Sequence, residues 1–399
     1  MTALFSSGNT GAASPLLEVL QAELQQRADQ GLLRKRRVLQ GMQGAHVVVD
    51  GERLLSFCSN DYLGLASHPA LIAAMSQAAG AAGAGSGASH LVTGHQEAHE
   101  ALEQYLRQFT GQPAVLLFTT GYMANLGIIT ALCNRDDVIF ADKLNHASLN
   151  DGAVLSRATL KRYPHNDLAS LERMLFQTNA RRKLVVADAV FSMDGDLAPV
   201  PELLALCERY EAYLLLDDAH GFGVLGEDGR GILEYFGLSS PRIIYMATLG
   251  KAVGAAGAFV AGAEVLVEYL MQTARSYIYT TASPAPVAAA ALAGVRQIAE
   301  DGRRRRHLHD LIHLFLSECR LQRWQRMESH TAIQPIIIGS NDEALRVSER
   351  LREQGILVPA IRPPTVPKGS ARLRISLSAA HNEEDVRRLL RVLHMLELA

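Results

Sequence analysis

The sequence has no excess of charge of either sign. Its 39 lysine and arginine residues nearly balance 41 aspartate and glutamate residues, which leaves a net charge of −2 at pH 7. Proteins that bind nucleic acids usually carry a basic excess, so this balance argues against that class of function. Disorder is excluded as well, because 48% of the residues are hydrophobic and only 20% are charged.

The chain also lacks long apolar runs and cysteine motifs. Its most apolar stretch, residues 252–267, is too short to cross a bilayer and contains Glu264. The four cysteines are scattered, with no C-x-x-C pair and no clustered histidine beside them, so we predict neither disulfides nor a metal site. Residues 1–11 lack a basic stretch followed by an apolar one, so we expect no secretory signal and a cytoplasmic protein.

A chain of 399 residues is long enough for two or three domains. The character of the sequence changes near Glu300, where a charged helix and two strand-like segments begin a compact α+β region. We interpret the basic run at residues 303–306 as part of a solvated face of that helix. We divide the chain into an N-terminal arm (1–57), a large domain (58–295) and a small C-terminal α+β domain (296–399).

Short apolar runs alternate with helical segments through the large domain. The runs that we predict as strands are residues 114–118, 138–141, 183–188, 213–217 and 243–247. Continuous apolar strands separated by helices are typical of a parallel sheet that is covered on both faces. The sequence therefore predicts an α/β fold with a mostly parallel central sheet.

Polar segments follow three of the predicted strands. A small-residue turn containing Gly121 and Tyr122 opens a helix, and free N–H groups at such a turn bind anions. Asp217, Asp218 and His220 follow the next of these strands along the chain. Each segment alone has an ordinary interpretation, as a strand-to-helix turn or a solvated helix cap.

Lys251 follows the third of these strands. A lysine at a buried strand end loses hydration, so a lowered pKa and a nucleophilic role become plausible, although a surface lysine is the simpler interpretation. Ligands of such sheets gather at the carboxyl ends of the strands. Together the three segments supply what pyridoxal phosphate requires: N–H groups for the phosphate, a carboxylate for the ring nitrogen and an amine for the aldehyde.

Four segments resemble the α-oxoamine synthases, a fold-type-I pyridoxal phosphate family whose members join an amino acid to an acyl thioester with loss of CO2. They are Asn60-Asp-Tyr-Leu-Gly64, Phe191-Ser-Met-Asp-Gly-Asp196, Asp217-Asp-Ala-His-Gly221 and Thr248-Leu-Gly-Lys251. The resemblance runs from about Leu16 to Leu396. It implies a pyridoxal phosphate-dependent C-acyltransferase, with the cofactor bound by the large domain, and a homodimer that shares its sites. Two positions depart from the family pattern: Leu249, where an aromatic is common, and Asp188, where a glutamate is usual.

The resemblance also implies a substrate pair. Residues 360–367, followed by residues 371–374, resemble the members that condense L-alanine with a pimeloyl thioester, carried on coenzyme A or an acyl carrier protein, in biotin biosynthesis. Members that use glycine or serine share the core motifs, so these amino acids stay the alternative.

Residue roles follow from the resemblance by position. Lys251 would hold the cofactor covalently and later move the α-proton. Asp217 would pair with the ring nitrogen, although the sequence alone does not choose it over Asp218. His220 would contact the ring oxygen, and His146 would stack on the ring and face the substrate. The other cofactor contacts would be Gly121, Tyr122, Ser192 and Thr248, with Thr280 or Thr281 of a partner subunit reaching the phosphate.

Three further residues would bind the substrates. The resemblance implies that Arg374 binds the carboxylate of the amino acid, and that Arg34 and Thr365 contact the acyl donor. Arg34 lies in a basic run at the end of the N-terminal helix, so a solvated arm is its default interpretation.

Two rival functions have less support in the sequence. The glycines of Gly221-Phe-Gly-Val-Leu-Gly226 form a literal G-x-G-x-x-G, but a nicotinamide-binding fingerprint would follow a strand directly and open a helix, and here a polar segment intervenes. A non-catalytic scaffold of the same fold would typically lose the lysine. Lys251 is present, which argues against a scaffold.

Overall fold

The computed structural model describes residues 14–398, so residues 1–11, on which the absence of a signal was predicted, lie outside the described part of the chain. The helices of the described part are α1 (Pro15–Asp29), α2 (Pro69–Ala82), α3 (Glu97–Thr110), α4 (Gly121–Leu132), α5 (Ala147–Ser156), α6 (Leu168–Phe176), α7 (Val200–Arg209), α8 (Ile232–Phe236), α9 (Glu264–Thr273), α10 (Arg275–Ile278), α11 (Ala285–Glu300), α12 (Gly302–Glu318), α13 (Asn341–Glu353) and α14 (Glu383–Leu398). The strands are β1 (Leu39–Gln40), β2 (His46–Val49), β3 (Glu52–Ser56), β4 (Ala114–Phe118), β5 (Val138–Asp142), β6 (Thr159–Tyr163), β7 (Lys183–Asp188), β8 (Tyr213–Asp217), β9 (Ile243–Thr248), β10 (Ala258–Gly262), β11 (Gln325–Arg326), β12 (Ile333–Gly339), β13 (Ile356–Leu357), β14 (Ala360–Ile361) and β15 (Ala371–Ser376).

The central sheet has seven strands in the order β4-β10-β9-β8-β7-β5-β6. Strands β9, β8, β7, β5 and β6 run parallel, whereas β10 is antiparallel to both of its neighbours. The predicted mostly parallel sheet is confirmed, and the five predicted strands all lie in it. Strands β6 and β10 were not predicted.

Helices cover both faces of this sheet, as predicted. Along β8 the buried side chains alternate between two hydrophobic cores, with Leu214 and Leu216 in one and Leu215 in the other. The core that holds Leu215 also holds Ile128 of α4 and Ala153 of α5. This alternation explains why the strand reads as a continuous apolar run, because both of its faces are buried.

Two four-stranded sheets accompany the central one. The first has the order β11-β12-β15-β14 and belongs to the small C-terminal domain. The second has the order β1-β2-β3-β13, so the arm's strands pair with a strand that lies near the other end of the chain. The bounds of the three-part domain division stay a prediction.

Helix α12 departs from its prediction as a solvated basic helix. Arg305 is buried and donates hydrogen bonds to the carbonyl oxygens of Ile298, at 2.5 Å, and Glu227, at 2.7 Å. Arg304 donates to the carbonyl oxygen of Leu63 at 3.0 Å. A basic run can therefore be partly buried when its guanidinium groups satisfy backbone carbonyls, which the sequence pattern alone does not reveal.

Helix α1 presents an apolar side that the described chain leaves exposed. Leu16 is 64% exposed, Leu17 58% and Leu20 43%, although all three are large hydrophobic residues. Between residues 14 and 398, no helix combines the length and the apolar character that crossing a membrane would require.

The carboxyl ends of β7, β8 and β9 lie side by side at one edge of the central sheet. Asp188, at the end of β7, is the register partner of Asp217, at the end of β8. Thr248 ends β9, next in the sheet. This edge therefore collects the polar residues that follow the apolar strands.

Candidate functional site

Lys251 lies at the head of a chain of hydrogen bonds. Its Nζ is 3.0 Å from Nε2 of His220, and Nδ1 of His220 is 2.6 Å from the hydroxyl of Tyr62. The Tyr62 hydroxyl in turn donates to the side-chain oxygen of Asn60 at 3.3 Å. If the lysine donates to Nε2, the network assigns the imidazole proton to Nδ1 and all the bonds then run in one direction. Tyr62 lies in one of the recognised motifs, but the sequence assigned it no role.

The electrostatics of this group favour a reactive amine. Burial of the ammonium lowers the pKa of Lys251 to about 8, against the opposing attraction of Asp217 and Asp188. Burial, with the nearby lysine charge, also holds the pKa of His220 well below its usual range. At neutral pH His220 is therefore a neutral imidazole, and Lys251 is an amine that gains and loses its proton near physiological pH.

The structure distinguishes Asp217 from Asp218, which the sequence alone could not do, because the two side chains have different hydrogen-bond partners. Asp217 accepts a hydrogen bond at 2.7 Å from the side-chain amide of Asn125. Asp218 instead accepts from the Tyr245 hydroxyl and the Ile232 N–H, both at 2.7 Å. Successive residues at a strand end point to opposite sides, so only one of the pair accompanies Asn125.

Asn125 connects Asp217 to His146. Its amide donates to the Ser148 hydroxyl at 2.9 Å as well as to Asp217, and that hydroxyl lies 2.8 Å from Nδ1 of His146. The backbone N–H of His146 donates to a carboxylate oxygen of Asp188 at 2.6 Å. Burial and the neighbouring Asp217 raise the pKa of Asp188 well above its usual range. The structure thus brings the predicted residues Asp217 and His146 together, and adds Asn125 and Ser148, to which the sequence gave no role.

The turn that was predicted to bind an anion lies at the N-terminus of α4. Thr120 caps the helix by accepting from the Met123 N–H at 3.2 Å. A Cβ at Gly121 would lie 2.7 Å from a methyl carbon of Thr248, so a side chain at Gly121 would require movement. The hydroxyl oxygen of Thr248 is buried and has no hydrogen-bond partner. Tyr122, in the same turn, is 42% exposed. Free amides and an unpartnered hydroxyl at a helix N-terminus fit a phosphate group.

Arg374 is buried and held by three acceptors. Its Nε donates to the carbonyl oxygen of Ser192 at 2.6 Å, and its Nη1 donates to Ser376 at 2.9 Å and to Asn60 at 3.2 Å. Because Asn60 also accepts from Tyr62, the guanidinium is connected to the hydrogen bonds that end at Lys251.

A cleft of about 590 Å³ lies beside these groups. His146, Ser192 and Thr365 are among the residues that line it. His146 is exposed to solvent, and the exposed Thr365 belongs to the proline-rich segment 363–367. The predicted acyl contact at Thr365 is therefore next to the predicted cofactor contacts.

Three predicted residues lie apart from the Lys251 group. Arg34 is exposed on the arm. Burial of the Arg362 guanidinium lowers the pKa of Arg362, and the positive charge of Arg34 lowers it further. Thr280 is half-buried, and Thr281 is exposed and forms an antiparallel bridge with Ser89. Among residues 14–398, the hydrogen bonds of this chain do not connect these residues to Lys251.

Three histidines lie together elsewhere, with ligand nitrogens of His90, His95 and His99 within 4.8 Å of one another. His99 already uses both ring nitrogens, because Nδ1 accepts from the Gln96 N–H at 3.0 Å and Nε2 lies 2.7 Å from the carbonyl oxygen of Ser283. The other two rings lie 2.9 Å apart through their Nδ1 atoms. We assign no metal ligands here, because His99 has no free lone pair.

The donor set of the sheet edge fits pyridoxal phosphate. Contacts to the phosphate would come from the start of α4 and from Thr248, the carboxylate for the ring nitrogen from Asp217 and the amine from Lys251. The unpartnered hydroxyl of Thr248 and the crowded Gly121 are the observations on which this fit rests.

Comparisons with known proteins agree with this geometry. A model of the family described as aminotransferase class I and II matches residues 52–393. The chain is 75% identical over 388 residues to an 8-amino-7-oxononanoate synthase from Methylobacillus flagellatus, covering 97% of this chain and 98% of that protein. It is 60% identical over 372 residues to the protein of the same name from Nitrosospira multiformis, covering 93% and 94%.

Solved structures give the same result for the fold. A serine palmitoyltransferase from S. paucimobilis with a bound PLP–myriocin aldimine matches with a TM-score of 0.90 and 29% identity, covering 96% of this chain and 98% of that chain. An 8-amino-7-oxononanoate synthase from Francisella tularensis matches with a TM-score of 0.75 and 31% identity, covering 86% and 97%.

Proposed function

Because the chain belongs to the class I and II aminotransferase family, we propose that its Lys251 site carries out the reaction of the 8-amino-7-oxononanoate synthases. The chain is a pyridoxal phosphate-dependent acyltransferase that condenses L-alanine with a pimeloyl thioester. The products are 8-amino-7-oxononanoate, CO2 and the free thiol, in biotin biosynthesis. The observation that carries this function is the buried amine of Lys251 beside Asp217 in a chain 75% identical to a synthase of that name.

Each residue of the site has a separate role in the proposed reaction. Pyridoxal phosphate, when bound, supplies an aldehyde and an electron-withdrawing ring that stabilises negative charge at a substrate α-carbon. Asp217, held by Asn125, would keep the ring nitrogen protonated. Lys251 can accept and return a proton near neutral pH, because its pKa is about 8. Arg374 would offer its guanidinium to the carboxylate of the amino acid, and His146, which contacts the Ser148 hydroxyl, would stack on the cofactor ring.

The identity of the amino-acid substrate can be tested by measuring the release of CO2. With pyridoxal phosphate and a pimeloyl thioester, we expect carboxyl-labelled L-alanine to release labelled CO2, and glycine and L-serine to release less than about a tenth as much, since a pocket rejects one methylene or hydroxyl by about 10- to 200-fold. Release from glycine or serine instead would leave the fold and the residue roles in place and assign a sister activity. No release from any of the three would contradict the proposed reaction.

The acyl donor is proposed to contact Arg34 through its distal carboxylate. Arg34→Ala is expected to raise KM for the pimeloyl donor about tenfold, since a hydrogen bond to a charged group contributes about 1.5–3 kcal/mol, while KM for L-alanine stays unchanged. Arg36→Ala is the matched control, because Arg36 is an exposed cation of the same basic run. Unchanged kinetics in Arg34→Ala would remove Arg34 from the site.

A homodimer is part of the proposal, with Thr280 or Thr281 reaching the phosphate of the partner subunit. The exposed apolar side of α1 supports it, and so do Val92, 73% exposed, and Tyr279, 70% exposed, which lie close in sequence to the bridge between Ser89 and Thr281. Large apolar residues exposed in groups mark interaction surfaces. A cytoplasmic location is supported by four cysteines that are all free thiols.

A further inference from the structure

The segment between β7 and α7, residues 189–199, is fixed to the small domain. The carbonyl oxygen of Ser192 accepts from Arg374, and Asp194 forms an ion pair with the buried Arg372. The carbonyl oxygen of Gly195 accepts from Ser329 at 2.9 Å and from Thr331 at 3.0 Å. We call this segment the β7–α7 loop. Its Ser192 carbonyl oxygen is one of the three acceptors that hold Arg374, the proposed ligand of the substrate carboxylate.

His165 holds the opposite side of the same loop. Its Nδ1 lies 3.1 and 3.2 Å from the two carboxylate oxygens of Asp142, which is buried at the end of β5. Its Nε2 lies 2.8 Å from a carboxylate oxygen of Asp196 in the loop. The edge of the imidazole packs on the Phe191 ring, with centroids 4.4 Å apart and planes at 87°. The imidazole therefore bridges the central sheet to the β7–α7 loop.

The bridge reaches Ser192 through a tight turn. The N–H of Phe191 donates to the carbonyl oxygen of Asp196 at 3.0 Å, and the N–H of Gly195 donates to the carbonyl oxygen of Phe191 at 2.7 Å. The two loop residues that His165 contacts, Phe191 and Asp196, are thus joined to each other. A displacement of Asp196 would move Phe191, and with it the adjacent Ser192, whose carbonyl oxygen is one of the three acceptors of Arg374.

The carboxylate oxygens on both sides of the ring favour a charged His165, and the side-chain amide of Asn166 also lies 3.3 Å from Nε2. Both ring nitrogens face carboxylate oxygens, which only accept, and a neutral imidazole would aim a lone pair at one of them. Burial alone would lower the pKa of His165, but the hydrogen bonds to Asp142 and Asp196 outweigh it and raise the pKa to about 10. The other titratable groups beside it are Asp194, whose charge is paired with Arg372, and Tyr163, whose pKa is raised by burial and by Asp142.

We propose that His165 is a positioning residue for the amino-acid substrate: as an imidazolium between Asp142 and Asp196, it fixes the β7–α7 loop in the position that orients Arg374. The proposal rests on the proposed function, because Arg374 is a substrate ligand only if the enzyme binds an amino acid there. A metal ion in place of this arrangement is disfavoured, because Asp194, the remaining carboxylate of the cluster, already binds the Arg372 guanidinium.

The first test separates binding from chemistry. His165→Gln is expected to raise KM for L-alanine about tenfold, with kcat and KM for the pimeloyl donor changed less than about twofold, because Arg374 keeps its charge but loses its orientation. The dissociation constant of L-alanine, followed through the absorbance of the bound cofactor, should rise by the same factor. His46→Gln is the control, since His46 lies 3.4 Å from Asp385 at an exposed position. An unchanged alanine KM and dissociation constant in a folded His165→Gln variant would overturn the proposal.

The second test uses pH and does not depend on His165→Gln folding. Asp196→Asn removes one of the two carboxylates, so the pKa of His165 should fall and the ratio of variant to wild-type KM for L-alanine should rise from pH 7 to pH 9. In the wild type, the NMR signals of the His165 ring should remain those of an imidazolium through pH 9. Titration of that ring near pH 6.5, or a KM ratio that does not change with pH, would contradict the proposal. The NMR result is independent of turnover, so a failure of the proposed reaction would be seen separately, as a wild type that releases no CO2.

Discussion

Lys251→Ala is expected to abolish turnover, with CO2 release from labelled L-alanine falling by a factor on the order of 10³ or more. The substitution removes the amine that lies 3.0 Å from His220 and that has a pKa of about 8. It is the group best placed to hold the cofactor covalently and to move a proton at the substrate. The measurement is CO2 release at saturating L-alanine and pimeloyl thioester, with added pyridoxal phosphate.

The control for this substitution is Lys161→Ala. Lys161 is a partly buried lysine of β6 whose Nζ donates to the Thr178 hydroxyl at 2.7 Å, at the edge of the sheet far from β9. Its loss should leave kcat within about twofold of the wild type, because strands β8, β7 and β5 separate β6 from β9 and the Lys251 group. Substantial residual turnover in Lys251→Ala would rule out the assignment of Lys251.

Asp217→Asn is expected to lower catalytic activity, whereas Asp218→Asn is expected to lower stability. Asp217→Asn should lower kcat/KM by a factor on the order of 10² to 10³, because the neutral amide no longer stabilises a protonated ring nitrogen. Asp218→Asn should leave kcat/KM within about threefold and lower the free energy of unfolding by about 1–2 kcal/mol, because its carboxyl group, fully buried, bonds Tyr245 and Ile232.

The two variants are matched, since they make the same change at adjacent positions. Steady-state kinetics and urea denaturation, both with and without pyridoxal phosphate, measure the two effects. A larger loss of activity in Asp218→Asn than in Asp217→Asn would reassign the carboxylate of the ring nitrogen.

The sequence predicted the strands that are buried on both faces and missed two that are different. Strand β6 carries Lys161 and Arg162 at the sheet edge, so its pattern is not apolar. Strand β10 lies inside the glycine- and alanine-rich stretch 252–267, whose uniform apolar character hides where a strand begins. The pattern of apolar and polar residues indicates a strand only where burial of one or both faces of that strand requires apolar residues at defined positions.

Some residues of the candidate site could be predicted from the sequence and others could not. Charged and nucleophilic residues stand out in a sequence, whereas Asn125 and Tyr62 are ordinary residues whose roles arise from distant partners, Asp217 and His220. His165 was also missed, because neither of its carboxylate partners is adjacent in sequence. The choice between Asp217 and Asp218 required the direction of each side chain, which the order of residues does not contain.

The pairing of β3 with β13 has a consequence for synthesis of the protein. Strand β3 ends at Ser56, but its parallel partner Ile356–Leu357 is translated roughly 300 residues later, which takes about 15–60 s at the usual 5–20 residues per second. During that interval the growing chain presents an unpaired strand edge from the arm. Completion of this sheet therefore waits until most of the small domain has been translated, and the arm is among the first segments made and the last to be enclosed.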